Sequence, residues 1–231
     1  MHLLVVAAIR AEAAHVPEDL EVLVTGVGKT LAAVQVTRAI CEHPRRDELV
    51  VVNIGTAGAL RDGLNAIGFA DKQYLRGRYL DTPRDAFLQA LDISCYSLIE
   101  VARRAHPLMA DGGSLITLTY GGSNRVTPFY NVMGVAKAAL ESTVRYLAND
   151  LGPDGIRCNL VAAGPIRTTA AKSIPGFEQF EESWDSRSPL GWDVGDPVPT
   201  AKACVALLSD WFPATTGEIL HVDGGVHAMG I

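Results

Sequence analysis

A series of short, mostly apolar runs, spaced by helix-length stretches, constrains this chain more than any other feature. Residues 3–9 form the first run, Leu20 to Thr25 (Leu-Glu-Val-Leu-Val-Thr) the second, and Leu49 to Ile54 (Leu-Val-Val-Val-Asn-Ile) the third. Ser114 to Thr119, Ile156 to Ala162 and Glu218 to Val222 read the same way. A half-exposed strand alternates apolar and polar residues. A strand that stays apolar at successive positions has both faces covered, as in a parallel sheet between helices. The expected fold is therefore a three-layer α/β domain with a parallel sheet and helices on both faces.

The stretches between the runs support that reading. Leu31 to Ile40, about Pro83 to His106, 131–150 and Pro199 to Leu208 carry helical periodicity, and Gly152-Pro153-Asp154-Gly155 stops the longest of them. A further short apolar element surrounds Ile67-Gly68-Phe69. Residues 165–190 hold three prolines and little periodicity, which is the signature of a loop or lid over a site. No internal repeat or low-complexity tract interrupts the chain. With 231 residues a single domain over 1–231 is expected.

Composition narrows the function classes. The net charge of −6 with no basic face argues against nucleic-acid binding. No apolar stretch approaches the roughly 18 residues of a membrane span. The opening His2-Leu3-Leu4-Val5-Val6-Ala7-Ala8-Ile9 lacks a basic leader and is expected as a buried strand. Cysteines at 41, 95, 158 and 204 are too dispersed for a Cys-x-x-Cys pair, so reduced thiols and a cytoplasmic location are expected. The six histidines show no His-Glu-x-x-His spacing, and no metal site is expected. Trp184, Trp192 and Trp211 are expected to pack in the interior, since no basic groove accompanies them.

Tyr130 and Lys137 are the residues best placed for chemistry. Seven residues advance an α-helix almost two turns, so both would project from one face, roughly 10 Å apart along the axis. An ammonium can hold a ribose and lower the phenol's pKa. The phenol can then hydrogen-bond a substrate oxygen as negative charge develops on it. Spacing alone leaves open a core tyrosine and a solvated lysine.

The surrounding sequence adds to this pair. Leu115-Ile116-Thr117-Leu118-Thr119-Tyr120 precedes it, and Tyr130 opens Tyr-Asn-Val-Met-Gly-Val-Ala-Lys. Arg157-Cys158-Asn159-Leu160-Val161-Ala162-Ala163-Gly164-Pro165-Ile166-Arg167-Thr168 follows. With Asn65-Ala66-Ile67-Gly68-Phe69-Ala70 before them and His221-Val222-Asp223-Gly224-Gly225 after, these segments resemble the NADH-dependent enoyl-acyl-carrier-protein reductases. That family is a divergent branch of the short-chain dehydrogenase/reductases. The resemblance covers about 165 of 231 residues, from about Asn65 to the C-terminus.

The resemblance implies a Rossmann-like fold and reduction of an enoyl thioester on acyl carrier protein by NADH, in fatty acid biosynthesis. It implies that Tyr130 supports the enolate, that Lys137 holds the nicotinamide ribose and that Tyr120 lines the acyl pocket. Ile67 and Gly68 would lie along the adenosine. Thr119, Gly164, Ile166 and Thr168 would line the cofactor, the last two at its carboxamide, and the loop 169–180 would cover the acyl chain. A homo-oligomer, a homotetramer in the family's usual form, is implied as well. Asp223-Gly224-Gly225 is expected as a turn near a subunit interface.

Residues 1–64 are atypical for that pattern. Val24-Thr25-Gly26-Val27-Gly28-Lys29-Thr30 is the best local candidate for a pyrophosphate cradle, although Leu23 stands where a P-loop has its first glycine. This region is similar to the N-terminus of the nucleosidase/phosphorylase family through Val5–Ala13, Val24–Lys29 and Asn53-Ile54-Gly55-Thr56-Ala57-Gly58. That likeness implies Glu12 near a leaving base and Thr56-Ala57-Gly58 near a ribose. The chain thus reads as two families joined near Leu64. Besides the reductase, it leaves an adenosine-type nucleosidase and a non-catalytic α/β binding module as readings.

Overall fold

The computed structural model describes residues 2–7, 21–24, 49–54, 63–65, 67–168, 184 and 186–230. Among the described residues seven strands pair in parallel: β1 (His2–Ala7), β2 (Glu21–Val24), β3 (Leu49–Ile54), β4 (Gly63–Asn65), β5 (Gly113–Thr119), β6 (Ile156–Ala163) and β7 (Ile219–Val222). Their spatial order is β2-β1-β3-β4-β5-β6-β7. The chain moves outward from β1 to β2 at the edge and then returns past β1 to β3. In a doubly wound sheet the crevice at such a reversal, above the carboxyl ends of the strands, is where ligands bind. Strand β4 contains Leu64, so strands from both sides of the expected family junction share one sheet.

Helices cover both faces of the carboxyl-terminal half. Leu115, Ile156, Cys158 and Leu160 face α2 (Ser97–Ala105) and α3 (Asn131–Leu151), where they pack on Leu98, Ala102, Leu140 and Val144. Ile116, Val161 and Ala163 point the other way and meet Cys204 and Leu207 of α4 (Val198–Leu208). Leu115 and Ile116, like Leu160 and Val161, are neighbours that enter different layers, which explains why both members of each pair are apolar. Helix α3 stops at Gly152-Pro153, and Gly155 (φ 71°) turns the chain back into β6. Its carbonyl there accepts from the Gly113 amide at 3.2 Å.

The structure differs from expectation at three places. The apolar element around Ile67-Gly68-Phe69 lies beyond the strand, since β4 ends at Asn65. The Phe69 amide and carbonyl are instead both taken by one hydroxyl, Ser94 Oγ, at 2.9 and 3.0 Å. The helix expected over 83–106 is α1 (Arg84–Leu91) and α2 joined by a π-helical turn, Asp92–Tyr96. That turn buries Ser94 (1% exposed) and Cys95. Trp184 and Trp192 do pack and donate to Asp223 O and Pro165 O, but Trp211 is 80% exposed. The short turn after α4 carries Trp211 outward, past the last layer of the core.

Cys95, Cys158 and Cys204 are free and buried, and burial pushes the thiols of Cys158 and Cys204 up to about 12. Such thiols stay protonated and unreactive at neutral pH. No helix among the described residues is long and apolar enough to cross a membrane. No cluster of three or more His, Cys, Asp or Glu side chains among those residues could hold a metal ion.

Candidate active site

The carboxyl end of β5, the head of α3 and the segment after β4 converge on one place. Tyr130 is the N-cap of α3 and lies just outside its first turn. Its direction is therefore set by its neighbours and not by helical periodicity, as the sequence had suggested. Phe129 (φ 60°) and Asn131 (φ 33°) both occupy left-handed backbone, which costs non-glycine residues energy and clusters at functional sites. The Asn131 amide holds this conformation by donating to Tyr74 O and Gly77 O, each at 3.3 Å.

The Tyr130 ring is buried at 8% exposure against the short turn Gly121–Ser123. A Cβ on Gly122 would stand 2.5 Å from Tyr130 Cδ1, and one on Gly134 would stand 2.6 Å from Gly122 O. The two glycines let the turn press on α3 and hold the ring. Tyr120 meets Tyr130 edge-on with centroids 5.2 Å apart, and it lies 5.5 Å from Trp184 on its other side. Burial, first, and then Tyr120 and Glu141 raise the Tyr130 phenol above its ordinary pKa of 10.0. This corrects the expectation that the lysine lowers it: the influences on the phenol all raise it, loss of water most of all. Burial raises Tyr120 as well, against a smaller opposing effect of Arg125.

Lys137 is partly buried on the next two turns of α3. Its Nζ donates to Leu118 O at 2.9 Å, at the end of β5. Gly68 lies alongside, since a Cβ there would come within 3.8 Å of Nζ. Burial lowers the Lys137 pKa from 10.5 to about 8, and Glu141 opposes the fall. The residue expected at the cofactor's adenosine side thus sits beside the lysine expected at its ribose.

The remaining expected positions divide. Thr119 is 5% exposed and its hydroxyl donates to Glu141 Oε1 at 2.6 Å, so its side chain points at α3. Gly164 is buried under Trp192 and Trp184, with its amide donating to Val222 O at 2.9 Å. Ile166 is half-buried against the α4 side of the core, beside Leu118, Leu220 and Val222. Thr168 is exposed, and its amide donates to Ile166 O at 2.7 Å. Ile67 is half-buried at the exit of β4. Asp223 does form a turn: its carboxylate accepts from the Gly225 and His227 amides and pairs with His227 Nδ1 at 2.9 Å. The loop 169–180 lies outside the described residues, as do Glu12, Gly26–Thr30 and Thr56-Ala57-Gly58. Strand β2, which leads into Gly26–Thr30, is the edge strand, with β1 and β3 between it and β4.

Ser94, Gly122 and Glu141 were not singled out from sequence. Glu141 had a usable signal, since it stands four residues after Lys137 and shares its helix face. Ser94 had none, because the π-helical turn that aims it leaves no mark in the periodicity.

Comparison with known proteins identifies the family. The family model described as Enoyl-(Acyl carrier protein) reductase matches residues 8–227. The Enoyl-[acyl-carrier-protein] reductase [NADH] 1 of Rhizobium meliloti is 51% identical over 168 residues, 73% of this chain and 61% of that protein. The Staphylococcus aureus (strain MRSA252) Enoyl-[acyl-carrier-protein] reductase [NADPH] is 50% identical over 73% of this chain and 66% of its own length. The chain thus matches less than two thirds of the length of these relatives. The crystal structure of the Bacillus cereus enoyl-acyl carrier protein reductase with NADP+ and indole naphthyridinone superposes with a TM-score of 0.75 at 31% identity. That superposition covers 100% of this chain and 98% of the other.

All four matches are to enoyl reductases, and the likeness of residues 1–64 to nucleosidases is not carried by them. The family match also crosses Leu64, where the sequence reads as changing family. The chain belongs to the enoyl-acyl-carrier-protein reductase family, a nicotinamide-dependent branch of the short-chain dehydrogenase/reductases with a Rossmann-like α/β fold.

Proposed function

We propose that this chain reduces the 2,3 double bond of an enoyl thioester carried on acyl carrier protein, with NADH as the hydride donor. The observation that carries the reading is the Lys137 ammonium, fastened to Leu118 O with Gly68 beside it, on the helix that Tyr130 caps. An ammonium has three N–H groups. Among the described residues Leu118 O is its one hydrogen-bond acceptor, which leaves two donors for a pair of ribose hydroxyls. The residues present therefore fit a nicotinamide cofactor over the carboxyl ends of β4 and β5.

When bound, the reduced nicotinamide supplies a hydride. Tyr130 is kept protonated by its burial, so it donates a hydrogen bond to the thioester oxygen as negative charge collects there on the way to the enolate. Its caged ring fixes where that oxygen sits. Tyr120 and Trp184 form an apolar wall beside it, suited to the first carbons of an acyl chain. A solvent proton at C2 completes saturation.

The same reading places the chain in fatty acid biosynthesis, in the cytoplasm, as a homotetramer. NADH is the cofactor of the Rhizobium relative by name, and the Staphylococcus relative is named for NADPH, so both are assayed. Loss of reduced-nicotinamide absorbance with a crotonyl thioester tests the proposal. Turnover that falls by about 10²-fold or more in Tyr130→Phe and again in Lys137→Ala supports it. No turnover with either cofactor, or unchanged turnover in the double variant, rejects it. One observation favours a second reading, an α/β module without a dinucleotide site: the Gly-x-Gly candidate follows the edge strand β2. Calorimetry that finds no NADH or NADPH binding to folded protein would select that reading.

A further inference from the structure

Two successive residues at the end of β5 hold two successive turns of α3. Leu118 offers its carbonyl to Lys137 Nζ at 2.9 Å, and Thr119 donates its hydroxyl to Glu141 Oε1 at 2.6 Å. Lys137 and Glu141 stand four residues apart on one helix, the spacing that makes side chains neighbours. The second bond is short, as expected for a hydroxyl donating to a carboxylate, and it fixes the direction of the negative charge. We propose that Glu141, aimed by Thr119, is the positioning residue that keeps Lys137 an ammonium while Leu118 O holds it against the end of β5.

The need for such a group follows from the site. A partly buried amine loses hydration and drifts toward its neutral form, which would surrender a donor and the charge that binds the ribose side. The ionisable groups facing Lys137 are Glu141 on its own helix and Cys95 from the π-helical turn, and both favour its charged form. Its other close neighbours, the Leu118 carbonyl and Gly68, carry no charge. The same carboxylate favours the protonated Tyr130 phenol. One anion therefore supports opposite requirements, a charged amine and a neutral phenol. It also reaches His221 on β7, whose stacked partner His227 works against protonation there.

The inference rests on the reductase reading only for what Lys137 does, and its test does not depend on turnover. In protein labelled with ¹³C-lysine, the Lys137 Cε resonance is followed against pH and assigned by its loss in Lys137→Arg. The parent is expected to titrate near pH 8. Glu141→Gln is expected to lower that midpoint by about 1 unit or more, and Glu141→Asp, which retains the charge, to restore much of it. A merely structural carboxylate would lower stability and leave the midpoint in place. A midpoint that stays or rises in folded Glu141→Gln overturns the proposal.

Should Glu141→Gln not fold, the parent labelled at the glutamate carboxyl carbon decides. A step in the Glu141 signal as Lys137 loses its proton supports the coupling, and a flat signal across that range overturns it. In the cofactor-bound enzyme, the pH at which NADH affinity falls is expected to move down with the Lys137 midpoint. Absence of any NADH binding would reject the reductase reading while the titration still reports on Glu141.

Discussion

Replacing Gly122 by alanine would place a methyl carbon 2.5 Å from Tyr130 Cδ1, 2.9 Å from Cε1 and 3.3 Å from Thr127 Oγ1. Carbon atoms rest comfortably at about 3.5–4.0 Å, so the ring and the methyl overlap by about 1 Å. The ring cannot simply swing away. It is buried, its backbone is fixed between two left-handed residues, and Tyr120 stands against it. Overpacking of this kind costs about 1–3 kcal/mol. A displacement of about 1 Å of a catalytic group costs about 10²-fold in rate. Chemical denaturation and steady-state reduction of a crotonyl thioester measure the two effects. NADH affinity should change little, because the added methyl would meet Tyr130 and Thr127 and neither Lys137 nor Gly68. In a Tyr130→Ala background the clash is gone, and Gly122→Ala should then lose most of its stability cost. A Gly122→Ala protein within about 0.5 kcal/mol and twofold of the parent would refute the reasoning.

Further outcomes follow from the same contacts. Ser94→Ala leaves the Phe69 amide and carbonyl without their partner, so stability should fall by about 1–3 kcal/mol and amide exchange at Phe69 should accelerate; unchanged exchange would show that Ser94 does not hold this segment. Lys137 has a folded pKa of about 8, below its ordinary 10.5. Between those values the unfolded chain binds more protons, so the buried ammonium penalises folding in full below pH 8 and less as pH rises through that window. Lys137→Met should therefore raise Tm at pH 7, by a margin that shrinks toward pH 10; a margin independent of pH would contradict this. Asn131→Ala removes the bonds to Tyr74 O and Gly77 O and puts a poorly tolerated residue at positive φ, so it should cost about 1–3 kcal/mol in denaturant melts.

Much of the carboxyl-terminal half was legible because its strands are buried on both sides. The runs read as 114–119 and 156–162 became β5 and β6 with little change, and the helix read as 131–150 became α3. Strand β4 does not stand out in sequence because Gly63-Leu64-Asn65 has almost no apolar content, whereas Ile67 and Phe69 beyond it do. Sheet order was not legible at all. It depends on which way each crossover turns, and the segments joining β1, β2 and β3 leave that open in sequence. Within the site, Tyr130 and Lys137 were found by pattern, but the side chain of Thr119 faces a carboxylate and Gly164 lies under two indoles. Those two differences arise from contacts between residues twenty or more positions apart, which no local pattern encodes.

Transfer of label from reduced nicotinamide deuterated at the transferring position tests the central claim most directly. The chain is incubated with that cofactor and a crotonyl thioester, and the product is read by mass spectrometry. A saturated butyryl thioester with one deuterium, at C3, is the predicted result, and it should be lost in Tyr130→Phe together with Lys137→Ala. Deuterium at C2, or no saturated product from folded protein that binds the cofactor, would contradict the account.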